Sequence, residues 1–273
     1  MPTAFLNKLE QIGRGNDSLV CVGLDVDMSR IPEFLLEEEE PILVFNKAII
    51  DATQDLVCAY KLNIAFYEAL GVLGLQQFKK TLEYIPSDIV KIVDAKRGDI
   101  GNTARMYAKS CFEYYGGDAV TASPYLGRDS LQPFFDYEDR CTFVLCLTSN
   151  PGSKDFQYLS NGERSLYQLV AENVNRWNEK NNCGLVVGAT HPDELKEVRN
   201  IAPELPFLIP GIGAQGGDVE RTIQFGTDAK GERAIINSSR GIIYASSGRD
   251  FKEAAREKAK ELRDIINRWR KTA

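Results

Sequence analysis

The chain has 273 residues, 43% hydrophobic and 26% charged, which is enough to bury a sizeable core in one large domain or two small ones. Its net charge of −6 argues against general nucleic-acid binding, which depends on neutralising phosphates with lysine and arginine. No apolar run is long enough to span a bilayer, and the first residues, MPTAFLNKLEQIGRG, lack the pattern of a secretory signal. We therefore expect a cytoplasmic protein that binds neither nucleic acid nor membranes.

Cysteine and histidine usage excludes several kinds of site. The 6 cysteines are scattered, mostly in apolar runs, without the paired spacing of a metal site. We expect them to be free thiols in a reducing cytoplasm. The single histidine, His191, argues against a histidine-based metal site and against a Ser–His–Asp triad. No metal site is therefore expected.

In chain order, the sequence begins with a short amphipathic helix and then alternates apolar runs with helical segments. One face of that first helix carries Phe5, Leu6, Leu9 and Ile12. The apolar runs are predicted strands at 19–26, 56–63, 88–96, 118–123, 141–149, 183–190, 206–213 and 233–240. Strand and helix alternating in this way predict an α/β fold, a single (β/α)₈ TIM barrel that forms one domain over residues 1–273. A doubly wound open sheet is the alternative, although no G-x-G-x-x-G follows the first strand.

Polar residues interrupt the apolar pattern where the predicted strands end. They are Asp25, Lys61, Asn63, Asp94, Lys96, Ser123, Thr148, Ser149, Thr190 and Arg240. In a barrel these ends meet on one face, where active sites are found. The pattern therefore indicates an enzyme.

The segment DAKRGDIGNTA, residues 94–104, is the most concentrated group of charges. In a regular strand Asp94 and Lys96 point to the same side and Arg97 to the other. Both would enter the barrel mouth, close to Lys61 on the neighbouring strand. Asp99 follows Gly98, where the strand turns towards a helix. A purely structural ion-pair network remains an alternative interpretation of this cluster.

A second group of residues favours phosphate binding. PGIGAQGGD, residues 210–218, is a glycine-rich turn after the seventh strand that leads into a helix. NSSRG, residues 237–241, places Arg240 after the eighth strand, and a guanidinium suits a phosphate. Phosphate sites after strands seven and eight recur in these barrels, so we predict one here.

These motifs together resemble those of the orotidine 5′-phosphate decarboxylase family, specifically its longer subgroup. The resemblance covers nearly the whole chain and rests on GLDVD, KLN, the Asp-x-Lys-x-x-Asp core of DAKRGDIGNTA, PGIGAQGGD and SSRG. KLNIAFYE and TASPYLG are similar to the longer subgroup. The Asp-x-Lys-x-x-Asp core alone is shared with related sugar-phosphate decarboxylases, so the remaining motifs make the resemblance specific.

The resemblance implies a homodimer with shared active sites. It assigns catalytic roles to Lys61, Asp94, Lys96 and Asp99, with Asp99 completing the site of the partner subunit. Ile100 and Thr103 would accompany Asp99 across the interface. Substrate contacts are implied for Asp25, Asn63 and Thr103 at the ribose, Thr148, Ser149 and Pro210 at the pyrimidine, and Gln215 and Arg240 at the phosphate.

The implied reaction is the conversion of orotidine 5′-phosphate to uridine 5′-monophosphate (UMP), the last step of de novo pyrimidine biosynthesis. Loss of carbon dioxide leaves a ring carbanion without an adjacent electron sink. The Lys96 ammonium would stabilise that charge and donate the proton, while Asp94 and Asp99 hold the ammonium in place. No metal or organic cofactor is expected.

Three other functions stay open. A magnesium-dependent sugar-phosphate decarboxylase is disfavoured because Lys61 occupies the position of an acidic metal ligand. A Schiff-base aldolase is disfavoured because an ammonium flanked by Asp94 and Asp99 is expected to stay protonated. A catalytically silent nucleotide sensor would not need the charged tetrad.

Overall fold

A computed structural model describes residues 3–212 and 219–270, and its centre is a closed barrel of eight parallel strands. Each strand pairs with its neighbours in chain order, and β8 pairs with β1. The strands are β1 Val20–Gly23, β2 Ala59–Asn63, β3 Val90–Arg97, β4 Ala119–Ala122, β5 Cys141–Leu147, β6 Cys183–Val187, β7 Phe207–Pro210 and β8 Ala234–Ser238. The predicted TIM barrel is confirmed, and closure of the sheet excludes the open alternative.

Seven of the eight strands fall inside the apolar runs of the sequence, and β3 extends one residue beyond its run, to Arg97. Their residues are buried almost throughout, because the strands of a parallel barrel are covered on both faces. Most strands are shorter than the runs that predicted them, since the polar residues at the carboxyl ends leave the sheet and enter loops. These loops carry much of the candidate site.

Helices connect the strands and form the outer layer. They are α1 Ala4–Gly15, α2 Pro41–Thr53, α3 Ile64–Glu68, α4 Gly71–Tyr84, α5 Gly101–Lys109, α6 Arg128–Phe135, α7 Leu166–Trp177, α8 Pro192–Ile201, α9 Val219–Gly226, α10 Arg240–Ile243 and α11 Phe251–Trp269. Short 3₁₀ segments occupy Glu33–Leu35 and Pro151–Asp155, and a π-helical turn follows α5 at Ser110–Tyr114. Among the described residues, no helix is both long enough and apolar enough to cross a bilayer.

The segment after β2 differs from its sequence pattern. Residues 64–85 read as one helical stretch, but the structure divides them into α3 and α4. Gly71 begins α4 with a φ of +66°, a conformation that glycine adopts without steric cost. The break leaves α3 as a short cap directly over the end of β2, beside the barrel mouth.

Helix α1 closes the amino-terminal end of the barrel. Lys8 forms an ion pair of 2.6 Å with Asp118, which precedes β4, and Arg14 forms one of 2.8 Å with Glu232, which precedes β8. The Phe5 ring packs edge-on against Phe143 of β5, with centroids 6.0 Å apart. With this end covered, the opposite end is the one available to a ligand. The six cysteines are buried and free, as predicted.

Candidate active site

A cavity of about 500 Å³ opens at the carboxyl ends of the strands. Charged side chains from β2, β3 and the loops after β1 and β8 line it: Asp25, Lys61, Asp94, Lys96 and Arg240. Apolar residues of β5 to β7, including Leu145, Val186 and Leu208, form its floor. These five charged side chains therefore meet at one end of the barrel, as the sequence predicts.

Four of these groups form a continuous chain of opposite charges. The Lys61 ammonium lies 3.0 Å from Oδ2 of Asp94 and 3.3 Å from Oδ1 of Asp25. The Lys96 ammonium lies 2.6 Å from the other oxygen of Asp94, Oδ1. Lys61 and Asp94 are buried, whereas 49% of the Lys96 side chain is exposed. Lys96 is therefore the most exposed member of the chain of charges.

The environment keeps the two buried members ionised. Burial by itself would raise the pKa of Asp94, but the charges of Lys61 and Lys96 and hydrogen bonds from Lys96 and Thr121 outweigh it and lower the pKa. Burial would likewise lower the pKa of Lys61, but the carboxylates of Asp25 and Asp94 raise it above its ordinary value. Both groups are consequently charged throughout the neutral pH range.

The backbone at Lys96 departs from a regular strand. Its φ is +46°, and the pairing of β3 with β4 shifts register between Val93 and Arg97. The Lys96 N–H donates to Oγ1 of Thr121 at 2.9 Å, and that hydroxyl donates to Oδ1 of Asp94 at 2.8 Å. A left-handed residue other than glycine costs about 1–3 kcal/mol and is typically found at functional sites. Thr121, which the sequence analysis did not identify, holds this irregularity in place.

The side chains of β3 point as the sequence predicts. Asp94 and Lys96 line one cavity. Arg97 points elsewhere, forming an ion pair of 2.9 Å with Glu68 of α3. The register of β3 with β4 shifts between Val93 and Arg97, and the Lys96 ammonium contacts Asp94 across this irregular segment.

Asp25 lies in the loop after β1 and accepts hydrogen bonds from β2 and from the residue that follows β8. Its Oδ1 accepts a hydrogen bond from the Asn63 N–H at 3.1 Å, and its Oδ2 accepts one from the Ser239 hydroxyl at 2.8 Å. Asn63 also caps α3, where its side chain accepts from the Ala65 N–H. A side chain at Gly23 would come within 1.9 Å of the Ser239 oxygen, so only glycine fits there.

Ser149 carries an unused hydroxyl beside the cavity. The residue lines the cavity, and its buried Oγ has no hydrogen-bond partner among the described residues. A Cβ at Gly188 would approach this oxygen to 2.1 Å, so glycine makes the room. Buried hydroxyls normally have partners, and a ligand polar group would supply one here.

Thr148 is placed differently from its neighbour. It lines the cavity, but its hydroxyl donates to Asn150 at 2.7 Å and accepts from Gln157 at 2.8 Å. The Thr148 hydroxyl is therefore already hydrogen-bonded within its own loop. Of the two predicted pyrimidine contacts in this loop, Ser149 has the free hydrogen-bonding capacity.

Two of the predicted substrate contacts follow β7 and β8. Pro210, predicted at the pyrimidine, ends β7 and lines the cavity, and Arg240, predicted at the phosphate, opens α10 beside Ser239 and lines it too. The exposed Arg240 guanidinium forms no ion pair with any other described residue. Gln215 lies outside the described residues. Asn237 of β8, not identified from the sequence, lines the cavity, and its buried Oδ1 has no described partner.

The segment that follows β3 lies apart from this cavity. Among the described residues that line it, Asp99, Ile100 and Thr103 do not occur. The Asp99 carboxylate accepts the N–H of Ile100 at 2.8 Å. Ile100 is 58% exposed, and Thr103 is exposed on the first turn of α5. Within one chain, the fourth member of the predicted tetrad is therefore separated from the other three.

Strand-end polarity identified some residues that do not belong to the site and missed others that do. Ser123 and Thr190 are not among the cavity residues. Thr121 and Ser239 belong to the site but were not predicted. Each carries a hydroxyl and lies within or directly after an apolar run of the sequence. That signal is present in the sequence, but a single hydroxyl in a strand is too common to single out.

A closed parallel barrel with ionised side chains at the carboxyl ends of its strands has the arrangement of (β/α)₈-barrel enzymes. The family model described as "Orotidine 5′-phosphate decarboxylase / HUMPS family" matches residues 18–257. The chain belongs to this family.

Individual relatives agree along nearly the whole length. The chain is 53% identical over 271 residues to the orotidine 5′-phosphate decarboxylase of Dehalococcoides mccartyi, covering 98% of each chain. It is 52% identical over 258 residues to that of Herpetosiphon aurantiacus, covering 93% of this chain and 95% of the other.

Solved structures give the same result. The Leishmania donovani OMP decarboxylase matches with a TM-score of 0.83 and 40% identity, over 96% of this chain and 98% of that one. The Leishmania donovani UMP synthase matches with a TM-score of 0.86 and 42% identity, over 97% of this chain and 57% of that one.

The lowered pKa of Asp94 predicts how acid affects stability. Ionised Asp94 stabilises the folded chain at pH values above the ordinary carboxyl pKa of about 3.9, and this contribution is lost as the pH falls through the lower pKa of the folded state. Asp94→Asn removes the charge between two cations and should cost about 3–5 kcal/mol at neutral pH. Urea unfolding of both proteins should show this difference shrinking below a pH of about 4.

The exposed Asp139, whose side chain is 60% accessible, provides a matched control. Asp139→Asn should change the free energy of unfolding by less than about 0.5 kcal/mol at any pH. A difference between wild type and Asp94→Asn that stays constant down to the acid transition would contradict the lowered pKa.

Proposed function

We propose that this chain decarboxylates orotidine 5′-phosphate to UMP, the last step of de novo pyrimidine biosynthesis, without a metal or organic cofactor. The observation that carries the proposal is the chain of charges from Asp25 through Lys61 and Asp94 to Lys96, at one side of a cavity that Arg240 also lines. Membership of the decarboxylase family supports the same reaction.

Lys96 performs the chemical step in this mechanism. The bond between the ring carbon and the carboxylate breaks, carbon dioxide leaves, and the electron pair stays on the ring carbon. The Lys96 ammonium stabilises this carbanion and transfers a proton to it. Asp94, 2.6 Å away, orients the ammonium, and Lys61 on the other side fixes Asp94. Because the ammonium supplies both charge and proton, no additional electron acceptor is needed.

The rest of the cavity would bind the nucleotide. Arg240 provides for the phosphate a guanidinium that has no ion pair among the described residues. Asp25 and Asn63 lie beside Lys61 for the ribose hydroxyls, and Ser149 offers its hydroxyl to the pyrimidine. Binding energy from phosphate and ribose, which do not react, can be used to hold the ring against Lys96. Gln215 is proposed as a further phosphate ligand on the resemblance alone.

The geometry around Lys61 separates this proposal from its main rivals. Lys61 is buried with its ammonium against two carboxylates, where a magnesium ion would be repelled. The ion pair of 2.6 Å between Lys96 and Asp94 favours an ammonium over the neutral amine that a Schiff base requires. Turnover of the substrate would exclude the silent sensor.

We further propose that the active form is a homodimer in which Asp99 enters the partner's cavity. Asp99 does not line the cavity of its own chain, and large apolar side chains in the segments after β3 and β4 are exposed: Ile100 by 58%, Met106 by 60% and Tyr125 by 83%. Exposed apolar groups in one region indicate a surface that another protein covers. A two-fold interface would make each subunit give and receive an Asp99, together with Ile100 and Thr103.

The central test of the reaction is the loss of orotidine 5′-phosphate absorbance with chelator-treated protein. Lys96→Ala should lose more than the roughly 10²–10⁴-fold typical of a general acid, because it removes the cation as well as the proton. Lys79→Ala, which changes a partly exposed lysine on α4 outside the cavity lining, is the control and should retain full activity. Activity of Lys96→Ala within tenfold of wild type would remove Lys96 from the mechanism.

Arg240 can be tested through the phosphate. Arg240→Ala should cost about 2–4 kcal/mol in kcat/KM, the scale of a lost charge-assisted contact. Added guanidinium should restore part of the rate. Arg249→Ala, whose guanidinium lies over the Phe34 ring outside the cavity, should leave kcat/KM unchanged. An unchanged kcat/KM for Arg240→Ala would place the phosphate elsewhere.

The shared site can be tested by mixing two inactive variants, Lys96→Ala and Asp99→Ala. In a mixed dimer one site collects both substitutions and the other collects neither. Random exchange makes about half of the dimers mixed, so activity should recover to about a quarter of wild type per site. If each site used residues of one chain only, mixing would give no more than the sum of the residual activities. That result, with subunit exchange shown independently, would contradict the shared site.

A further inference from the structure

Gln157 lies in the loop between β5 and α7, and both polar atoms of its side chain bind the same residue. Its Oε1 accepts a hydrogen bond from the Thr148 N–H at 2.8 Å, and its Nε2 donates to the Thr148 hydroxyl at 2.8 Å. One amide therefore fixes both the backbone and the side chain of Thr148. The side chain is half-buried and is not among the residues that line the cavity.

The backbone of Gln157 is itself held on two sides. Its N–H donates to the carbonyl of Ser153 at 2.8 Å, and its carbonyl accepts from the N–H of Tyr167 in α7 at 3.0 Å. The Thr148 hydroxyl continues the chain of bonds by donating to Asn150. The end of β5 is thus tied through Gln157 to the first turn of α7.

The residue that this arrangement positions is Ser149. It follows Thr148 directly, and Gly188 leaves room for its hydroxyl on the opposite side. The Ser149 oxygen is buried at the cavity and unpartnered, so no hydrogen bond of its own to a described residue fixes its orientation. Its position depends on the backbone before it, which Gln157 clamps.

We propose that Gln157 is a positioning residue for recognition of the base: it holds the Thr148–Ser149 peptide so that the Ser149 hydroxyl meets a polar edge of the ring. The hydroxyl can donate to a ring carbonyl or accept from a ring N–H. Gln157 does not touch the ligand and acts only through Thr148 and Ser149. This inference rests on the proposed function, because it takes a pyrimidine nucleotide as the ligand.

The test compares two ligands that share ribose and phosphate but differ in the base. UMP and ribose 5-phosphate are titrated by calorimetry into wild type, Gln157→Met, Ser149→Ala and the double variant. Methionine keeps the approximate length of glutamine without its hydrogen bonds. Gln157→Met should weaken UMP binding about fivefold, the scale of one lost hydrogen bond, and leave ribose 5-phosphate binding unchanged.

Coupling between the two residues distinguishes positioning from general damage. If Gln157 acts through Ser149, the double variant should bind UMP no more weakly than Ser149→Ala alone. Gln157→Glu keeps an acceptor for the Thr148 N–H and should retain more UMP affinity than Gln157→Met. It also provides a second variant should methionine prevent folding.

Gln168→Met is the matched control. Gln168 also uses both amide atoms, accepting from the Ser165 N–H and donating to Glu197, but it anchors α7 and not Thr148. It should bind both ligands like wild type. Equal weakening of UMP and ribose 5-phosphate by Gln157→Met, or additive losses with Ser149→Ala, would overturn the inference. Wild type that binds UMP no better than ribose 5-phosphate would overturn the proposed function as well.

Discussion

The buried carboxylate of Asp94 is the constraint on which the site depends. A buried charge is costly unless it is paired and hydrogen-bonded, and Asp94 has partners from both neighbouring strands. Lys61 comes from β2, where Asn63 pairs in register with Asp94, and Thr121 comes from β4. The strand registers of the closed barrel thus also supply the partners that offset the cost of burying the Asp94 carboxylate. Lys61 in turn requires Asp25 from the loop after β1, so one buried charge organises four consecutive elements.

The irregularity at Lys96 follows from the same constraint. Lys96 has a left-handed backbone conformation at the register shift of β3, and its ammonium contacts the Asp94 carboxylate. Thr121 accepts from the displaced Lys96 N–H while donating to that carboxylate. Strained backbone persists only where its surroundings over-determine it, as the bonds to Thr121 and Asp94 do here.

Features of this architecture that follow from a repeated sequence pattern are predicted well. Features that depend on a single contact are predicted poorly. Eight apolar runs locate all eight strands, because a strand buried on both faces must be apolar along its length. The division of α3 from α4, the bulge at Lys96 and the use of the Thr148 hydroxyl within its own loop were not predicted. Each depends on a partner distant in sequence or on one backbone angle, such as the positive φ of Gly71. Ser239 belongs to the same group, since its importance appears only when β8 closes against β1 and brings it to Asp25.

The charged groups of the cavity are of two kinds: some are paired with opposite charges, and Arg240 has no ion pair with a described residue. Lys61 and Asp94 are neutralised by neighbours that the strands supply, so their geometry is complete without a ligand. Arg240 is exposed at the start of α10 without an ion pair to any other described residue, and the chain as a whole carries a net charge of −6. An anionic ligand must therefore approach against the overall field and find local positive charge at Arg240. The strand-borne charges therefore compensate one another, whereas Arg240 has no such partner among the described residues, and the half-exposed ammonium of Lys96 lines the same cavity.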